Sequence, residues 1–318
     1  MKRYLVSILM LVGIVGSVMG QQQAVTTSET ALPLTDGSEY LMAPEWNPAG
    51  TLLAATSVKY QGIYLISYPE GEVQQISDLA GAGFGMQWSA TGNEIVARIS
   101  RYIDHRRESA IAAFSIPDGG QRLLSDYNRR LPGTPEWGPD GNYVYLNGTD
   151  QFKAFSTTQR QGAEPVTLSD PGAETIYVKR DRIYIHKPDT GEEIDITPVE
   201  GRVLNLTLSP SGDQMAFEIM GGHLWVCERN GENPRDLGVG NDPSWSPDGT
   251  KLTYIITEDD GHQITSSDIY VIRGDGTGKV NITNTADRME MHPDWSPEGQ
   301  WIAYNTLNSG QIFIQEVE

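Results

Sequence analysis

The chain has 318 residues, 38% of them hydrophobic, with 42 acidic side chains against 23 basic ones and a formal net charge of −19. That excess of carboxylate excludes a nucleic-acid partner, because phosphate binding rests on Lys and Arg. A single cysteine, Cys227, excludes a disulfide framework and reads as a buried thiol. The length suffices to bury roughly 75% of the unfolded surface without staples.

Residues 1–20 join Lys2 and Arg3 to an apolar run that ends in Val18-Met19-Gly20, the pattern of a secretory signal peptide cut before Gln21. The next stretch, QQQAVTTSET (21–30), has no stop-transfer flank and reads as a loose leader. The mature chain is therefore expected to be periplasmic or secreted, with no membrane span and an even larger negative charge once Lys2 and Arg3 are removed.

From residue 31 a phrase repeats. PEWNPAGTLLAA (44 on), MQWSATGNEIVA (86 on), PEWGPDGNYVYL (135 on), LTLSPSGDQMAF (206 on), PSWSPDGTKLTY (243 on) and PDWSPEGQWIAY (293 on) share one grammar. A Trp, replaced by Leu208 in the fourth copy, leads through a Gly turn into a strand of alternating apolar residues. In the fifth copy Pro247 presets φ, Asp248 suits the next turn position and Gly249 takes the left-handed conformation. About ten residues after each turn comes a second strand pair, as in GIYLISYPEGEVQQIS, AIAAFSIPDGGQRLLS, QFKAFSTTQRQGAEPVTLS, HLWVCERNGENPRDLG and DIYVIRGDGTGKVNIT. Four short strands recurring every 40 to 50 residues, with no amphipathic helix, specify an all-β propeller of four-stranded antiparallel blades.

The Trp-to-Trp spacings are 42, 49, 71, 37 and 50, counting Leu208 as the fourth copy's Trp. The gap of 71 holds one blade too many. RIYIHKPDTGEEIDIT (182–197) fits a second strand pair, whereas ETIYVKRD before it lacks the Trp and the turn, so a degenerate blade is expected there. That makes seven blades; six with a hairpin insertion is the alternative. The last copy stops after one strand of its second pair, QIFIQEVE, and ALPLTDG (31–37) precedes the first Trp. The N-terminal strand should therefore close the ring as the outer strand of the last blade, making 31–318 one domain with no open sheet edge.

PSWSPDGTKLTY with DIYVIRGDGTG, and PDWSPEGQWIAY with QIFIQEVE, resemble the WD-like repeats of the TolB propeller family, and the likeness spans the mature chain. The resemblance implies an exported, non-enzymatic scaffold that binds a protein or an envelope component and is expected to be monomeric. It also implies an alternative, because sugar-active lyases share the repeat: a lyase or hydrolase acting on an anionic oligosaccharide. No Gly-x-Ser-x-Gly elbow occurs in the sequence, which argues against peptidase chemistry.

The repeated phrase makes shape, so the tryptophans read as core and Asp140, Asp248 and Glu298 as turn caps. Function should lie where repeats differ, on the face carrying the loops between second and third strands. There RISRYIDHRRES and SDYNRRLPGTPEW gather Arg98, Arg101, His105, Arg106, Arg107, Arg129 and Arg130, a positive patch suited to carboxylate or phosphate, with Arg106, Arg129, Arg130 and His105 the chief ligand candidates. Salt bridging to Asp104, Glu108 and Asp126 is the structural alternative. TEDDGHQITSSD and NTADRMEMHPDW supply Asp260, His262 and His292, weak candidates for a divalent cation such as Ca²⁺, since the spacing matches no tight metal motif. No other cofactor is implied. Glu45, Glu136, Asp242 and Asp294 stand just before the Trp positions and should face the mouth of the central channel, where carboxylates suit a cation or a basic peptide.

Overall fold

A computed structural model describes residues 31–157 and 174–317. Seven separate antiparallel sheets form seven blades: 42–77, 87–123, 134–156, 175–195, 203–239, 241–281, and 290–316 with 32–33. The residues expected to form the signal peptide and leader, 1–30, lie outside the described residues, as does 158–173, which includes the expected outer strand of blade 3. Among the described residues the one helical element is a 3-10 turn, Val58–Tyr60, and no helix is long and apolar enough to cross a membrane.

Each repeat folds as its residue types require. In blade 6, Trp245 ends the innermost strand Asn241–Trp245, and Gly249 holds the turn at φ 68°. Asp248 Oδ1 accepts hydrogen bonds from Ser246 Oγ (2.6 Å) and Thr250 N (3.0 Å), and Asp140 caps Asn142 N in the same way in blade 3. These carboxylates are turn caps. Glu298 presses instead on the next blade, blade 1: a Cβ added to Gly50 would lie 2.5 Å from its Oε1.

A sheet with two apolar faces must be covered on both, and each blade is covered by its neighbours. The indole N–H of Trp88 donates to Glu45 O of blade 1 at 3.1 Å, that of Trp137 to Gln87 O at 3.2 Å, and that of Trp245 to Thr207 O at 3.4 Å. A second contact sits three residues beyond the Trp partner on the second strand. There Asn305 Oδ1 accepts from Ala43 N (3.1 Å), Glu218 Oε1 from Asp242 N (2.5 Å) and Asn147 Oδ1 from Val178 N (2.6 Å), each in the next blade. Cys227 is buried among Met215, Phe217 and their neighbours, and burial pushes its thiol up to about 12.

The degenerate blade is a sheet of its own, which excludes six blades with an inserted hairpin. Its strands are Thr175–Lys179, Arg182–Lys187 and Glu192–Asp195. Lys179 bridges Thr149 in parallel, and Thr149 lies two residues beyond the second strand of blade 3 (Tyr143–Asn147), so Thr175–Lys179 runs as second strands do. Among the described residues no strand occupies the innermost position of this blade. Ile176, Val178, Ile183 and Ile185 nevertheless cover the flank of blade 5.

Closure is as the sequence indicates. Leu32 and Pro33 pair with Ile314 and Phe313, Leu34 N donates to Ile312 O at 2.8 Å, and Thr35 Oγ1 accepts from Ile312 N at 3.0 Å. Leu34 is buried with Leu41, Trp46 and Ile314 in one cluster joining blades 7 and 1. A chain starting at residue 38 loses this strand and opens an edge. Compared with the chain from residue 21, its melting temperature, followed by circular dichroism, should fall by at least about 5 °C, from loss of about 1.5–3 kcal/mol of Leu burial plus the strand's hydrogen bonds. An unchanged midpoint contradicts the closure.

Candidate binding face and central chamber

The innermost strands of blades 1, 2, 5, 6 and 7 wall a central cavity of ≈ 490 Å³. In four of these blades the residue three before the Trp position is a non-glycine at positive φ: Ala43 (51°), Asn205 (46°), Asp242 (58°) and His292 (53°). Each sits where the register shifts between the first two strands, so a bulge turns these side chains toward the chamber. Left-handed backbone at such residues is strained, and strain of this kind concentrates at sites the fold holds for a purpose.

Glu45, Asp242 and Asp294 meet in this chamber together with His292. Asp294 Oδ2 accepts from Trp46 N at 2.8 Å and Oδ1 from Ser244 Oγ at 2.9 Å, so one carboxylate ties blade 7 to blades 1 and 6. Burial raises Asp294 to about 6, with those hydrogen bonds opposing and the Asp242 charge adding. Burial, then the charges of Asp294 and Asp242, hold the Glu45 carboxyl well above its ordinary range. His292 Nδ1 lies 2.7 Å from Asp242 Oδ2. Glu136 stands apart: it does not line the chamber but accepts from Tyr145 Oη (2.6 Å) and Asn147 Nδ2 (2.5 Å), its pKa raised by burial against those two bonds.

The segment RISRYIDHRRES is not a loop. It forms a projecting hairpin, Glu94–Ile103 paired with Arg106–Ser115 across a two-residue turn of Asp104 (φ 48°) and His105 (φ 61°). The pairing divides the arginines. His105 and Arg106 sit at the exposed tip beside Tyr102 and Ile103, whereas Arg107, opposite Tyr102, sends its side chain back to Ser100 and with Arg98 lines a concavity of ≈ 760 Å³. Arg129, Arg130, Lys153 and Arg180 complete its cationic lining, and Asp150 is the one acid there. Arg101 lies over the Tyr127 ring at 3.8 Å and pairs with Glu108 at 3.0 Å, and Arg129 reaches the same Glu108 at 3.5 Å. Salt bridging thus accounts for Arg101 and part of Arg129. Arg106 and Arg130 have no ion pair among the described residues.

Blade 6 raises a matching hairpin, Lys251–Asp259 with Ile264–Arg273, whose tip is acidic. Asp260 Oδ1 accepts from His262 N and Gln263 N, both at 2.9 Å, so it caps the tip, while His292 lies in the chamber. The three metal candidates do not converge. Among the described residues no group of three His, Cys, Asp or Glu side chains is placed to hold a metal ion. Lys153 and Arg180 escaped the sequence reading because only the ring brings blades 3 and 4 beside the blade 2 hairpin; the signal was Arg180 in the expected second-to-third-strand turn.

No family model matches the chain. It is 29% identical over 217 residues to an uncharacterized protein of Agrobacterium fabrum, covering 66% of this chain and 62% of that one. It is 30% identical over 143 residues to a TolB homolog of Chlorobium luteolum, covering 42% of this chain and 31% of the relative. The chain is a TolB-like β-propeller. It spans less than two thirds of the length of either curated relative. Among solved structures, the β-propeller domain of a Myceliophteria thermophila protein superposes with TM-score 0.66 at 14% identity, over 92% of this chain and all (100%) of that domain. A TolB-type structure from Agrobacterium tumefaciens gives 0.51 at 19% identity, over 88% and 91%. Both likenesses speak to the fold alone.

Within this TolB-like ring the chamber acids have a measurable signature. A carboxyl whose pKa is raised by folding binds its proton more tightly when native, so its contribution to stability falls as pH rises from the unfolded value near 4 through the folded value. For Asp294 that window runs from about 4 to about 6. Asp294→Asn removes this ionisation, so the stability of the variant relative to wild type, from urea melts, should improve steadily between pH 4 and 6.5. A constant difference across that window contradicts the buried, ionisable Asp294.

Proposed function

We propose that this chain is an exported, non-enzymatic binding scaffold of the periplasm or cell surface, engaging a partner protein or envelope component through its loop face. The observation that carries the reading is the contrast between the two faces. The turn face repeats one capped Gly turn around the ring, whereas the loop face carries the tall basic hairpin of blade 2, the tall acidic hairpin of blade 6 and the cationic concavity. In a protein of net charge −19, a local concentration of arginine on one face steers an acidic partner to that face. Secretion follows from the leader sequence, and the TolB-like repeat is in keeping with a binding role.

The test is capture from envelope extract by the mature chain with a crosslinker, comparing wild type with Arg106→Glu, Arg129→Glu and Arg130→Glu combined. All three side chains are exposed, so folding should be preserved. The specific partner band should drop at least about tenfold, in line with loss of several close charge pairs. Undiminished capture in a folded variant would remove the loop face from the account.

A further inference from the structure

We infer that the concavity between blades 2, 3 and 4 is a built anion site that takes an acidic peptide segment, its carboxylates received by Arg98, Arg107 and Arg130. This rests on the binding-scaffold reading and specifies the chemistry of the partner.

The charge in this hollow is uncompensated. Of the six cations that line it, Arg129 has Glu108 at 3.5 Å and Arg180 has Asp150 at 3.4 Å; Arg98, Arg107, Arg130 and Lys153 have no carboxylate partner among the described residues. Arg98 is the telling member. It rises from the second strand of blade 2, partly buried, with Nη1 donating to Gly133 O at 2.5 Å and its guanidinium 5.5 Å from the centre of the Phe84 ring. Its Nε is buried and has no acceptor. Burial and then the neighbouring Arg107 charge both lower its pKa, so the protonated form is held at a cost. Arg107 is fixed in turn, its Nε donating to Ser100 Oγ at 2.9 Å. Two guanidiniums pinned side by side without a counter-ion are destabilising to the free protein and favourable to an anion that enters, because the ligand relieves their repulsion and meets donors already oriented.

The lining also selects among anions. Its uncharged members are Ser109, Thr149, Gln151, Leu131 and Pro132, with no aromatic side chain on which a base or a sugar ring could stack. A long, stiff polyanion that filled the hollow would run on over a surface of net charge −19. A short flexible segment with Asp or Glu side chains avoids that repulsion and presents carboxylates singly to arginine forks.

The probe is fluorescein-labelled hexaglutamate, titrated with the full mature chain by fluorescence anisotropy at low and high salt. Saturable one-to-one binding is expected. Arg107→Gln with Arg130→Gln should weaken it at least about tenfold, while Lys59→Gln with Lys279→Gln, exposed cations of blades 1 and 6 outside the hollow, should change it less than about twofold. Melting curves establish that both variants are folded, and Arg130→Gln alone should give an intermediate loss. Absence of saturable binding, or equal weakening by the lysine pair, overturns the site in favour of diffuse attraction. Unlabelled oligogalacturonate displacing the probe at lower concentration than unlabelled hexaglutamate overturns the peptide assignment in favour of a glycan. The two readings fail separately. Hexaglutamate binding with envelope capture unchanged by the arginine variants upholds the site and removes the loop face from the scaffold reading, whereas capture lost without hexaglutamate binding sinks the site alone.

Discussion

Neighbour-on-neighbour packing is the constraint on which everything else in this molecule depends. No blade has a helix to cover it among the described residues, so each sheet is covered by the next, and the ring must be continuous. Trp88, Trp137 and Trp245 each reach back to a carbonyl of the preceding blade, while Asn305, Asn147 and Glu218 each take a backbone N–H of the following one. Contacts of one direction at each of these junctions, and of both directions between blades 5 and 6, fix the blade-to-blade rotation. The same requirement explains why a blade without an ordinary inner strand persists between blades 3 and 5. Its apolar residues are the only cover those flanks have among the described residues, and removing it would expose Met215 and Phe217.

Once the ring is fixed, its parts acquire different freedoms. The inner strands are constrained by packing, yet the bulges at Ala43, Asn205, Asp242 and His292 show them bent away from regular extension where they face the chamber. The turn face is constrained by the capped Gly turn. The second-to-third-strand turns meet neither constraint, and there blades 2 and 6 grow hairpins that rise above the others. Variation in charge follows variation in length, which is why basic and acidic groups separate on that face.

The ring was legible in the sequence because its signals are local and repeated. Trp-to-Gly spacing, the turn residues and the long gap after Trp137 yield seven blades, including the degenerate one, and ALPLTDG against QIFIQEVE gives the closure. The site was legible only in part. Arg129 and Arg130 were found by composition, but Asp104-His105 is not a usual two-residue hairpin turn, so the flanking strands read as loop and their tip and base were not told apart. Lys153, Arg180 and the pairing of His292 with Asp242, fifty residues earlier, depend on ring geometry that no local pattern encodes. Among the channel carboxylates, Glu45 and Asp294, each one residue before its Trp, converge with Asp242, three before Trp245, which reaches the chamber from a bulge. Glu136 does not, because Tyr145 and Asn147 on its own blade hold it.

The central claim is that partners meet the loop face and leave the turn face bare. A photoreactive phenylalanine analogue placed at Tyr102, on the exposed tip of the blade 2 hairpin, and separately at Asn142, beside the capped turn of blade 3, tests it in cells that express the protein. The account requires a discrete crosslinked product from position 102 and none from position 142. A product from position 142 alone, or the same product from both, contradicts it.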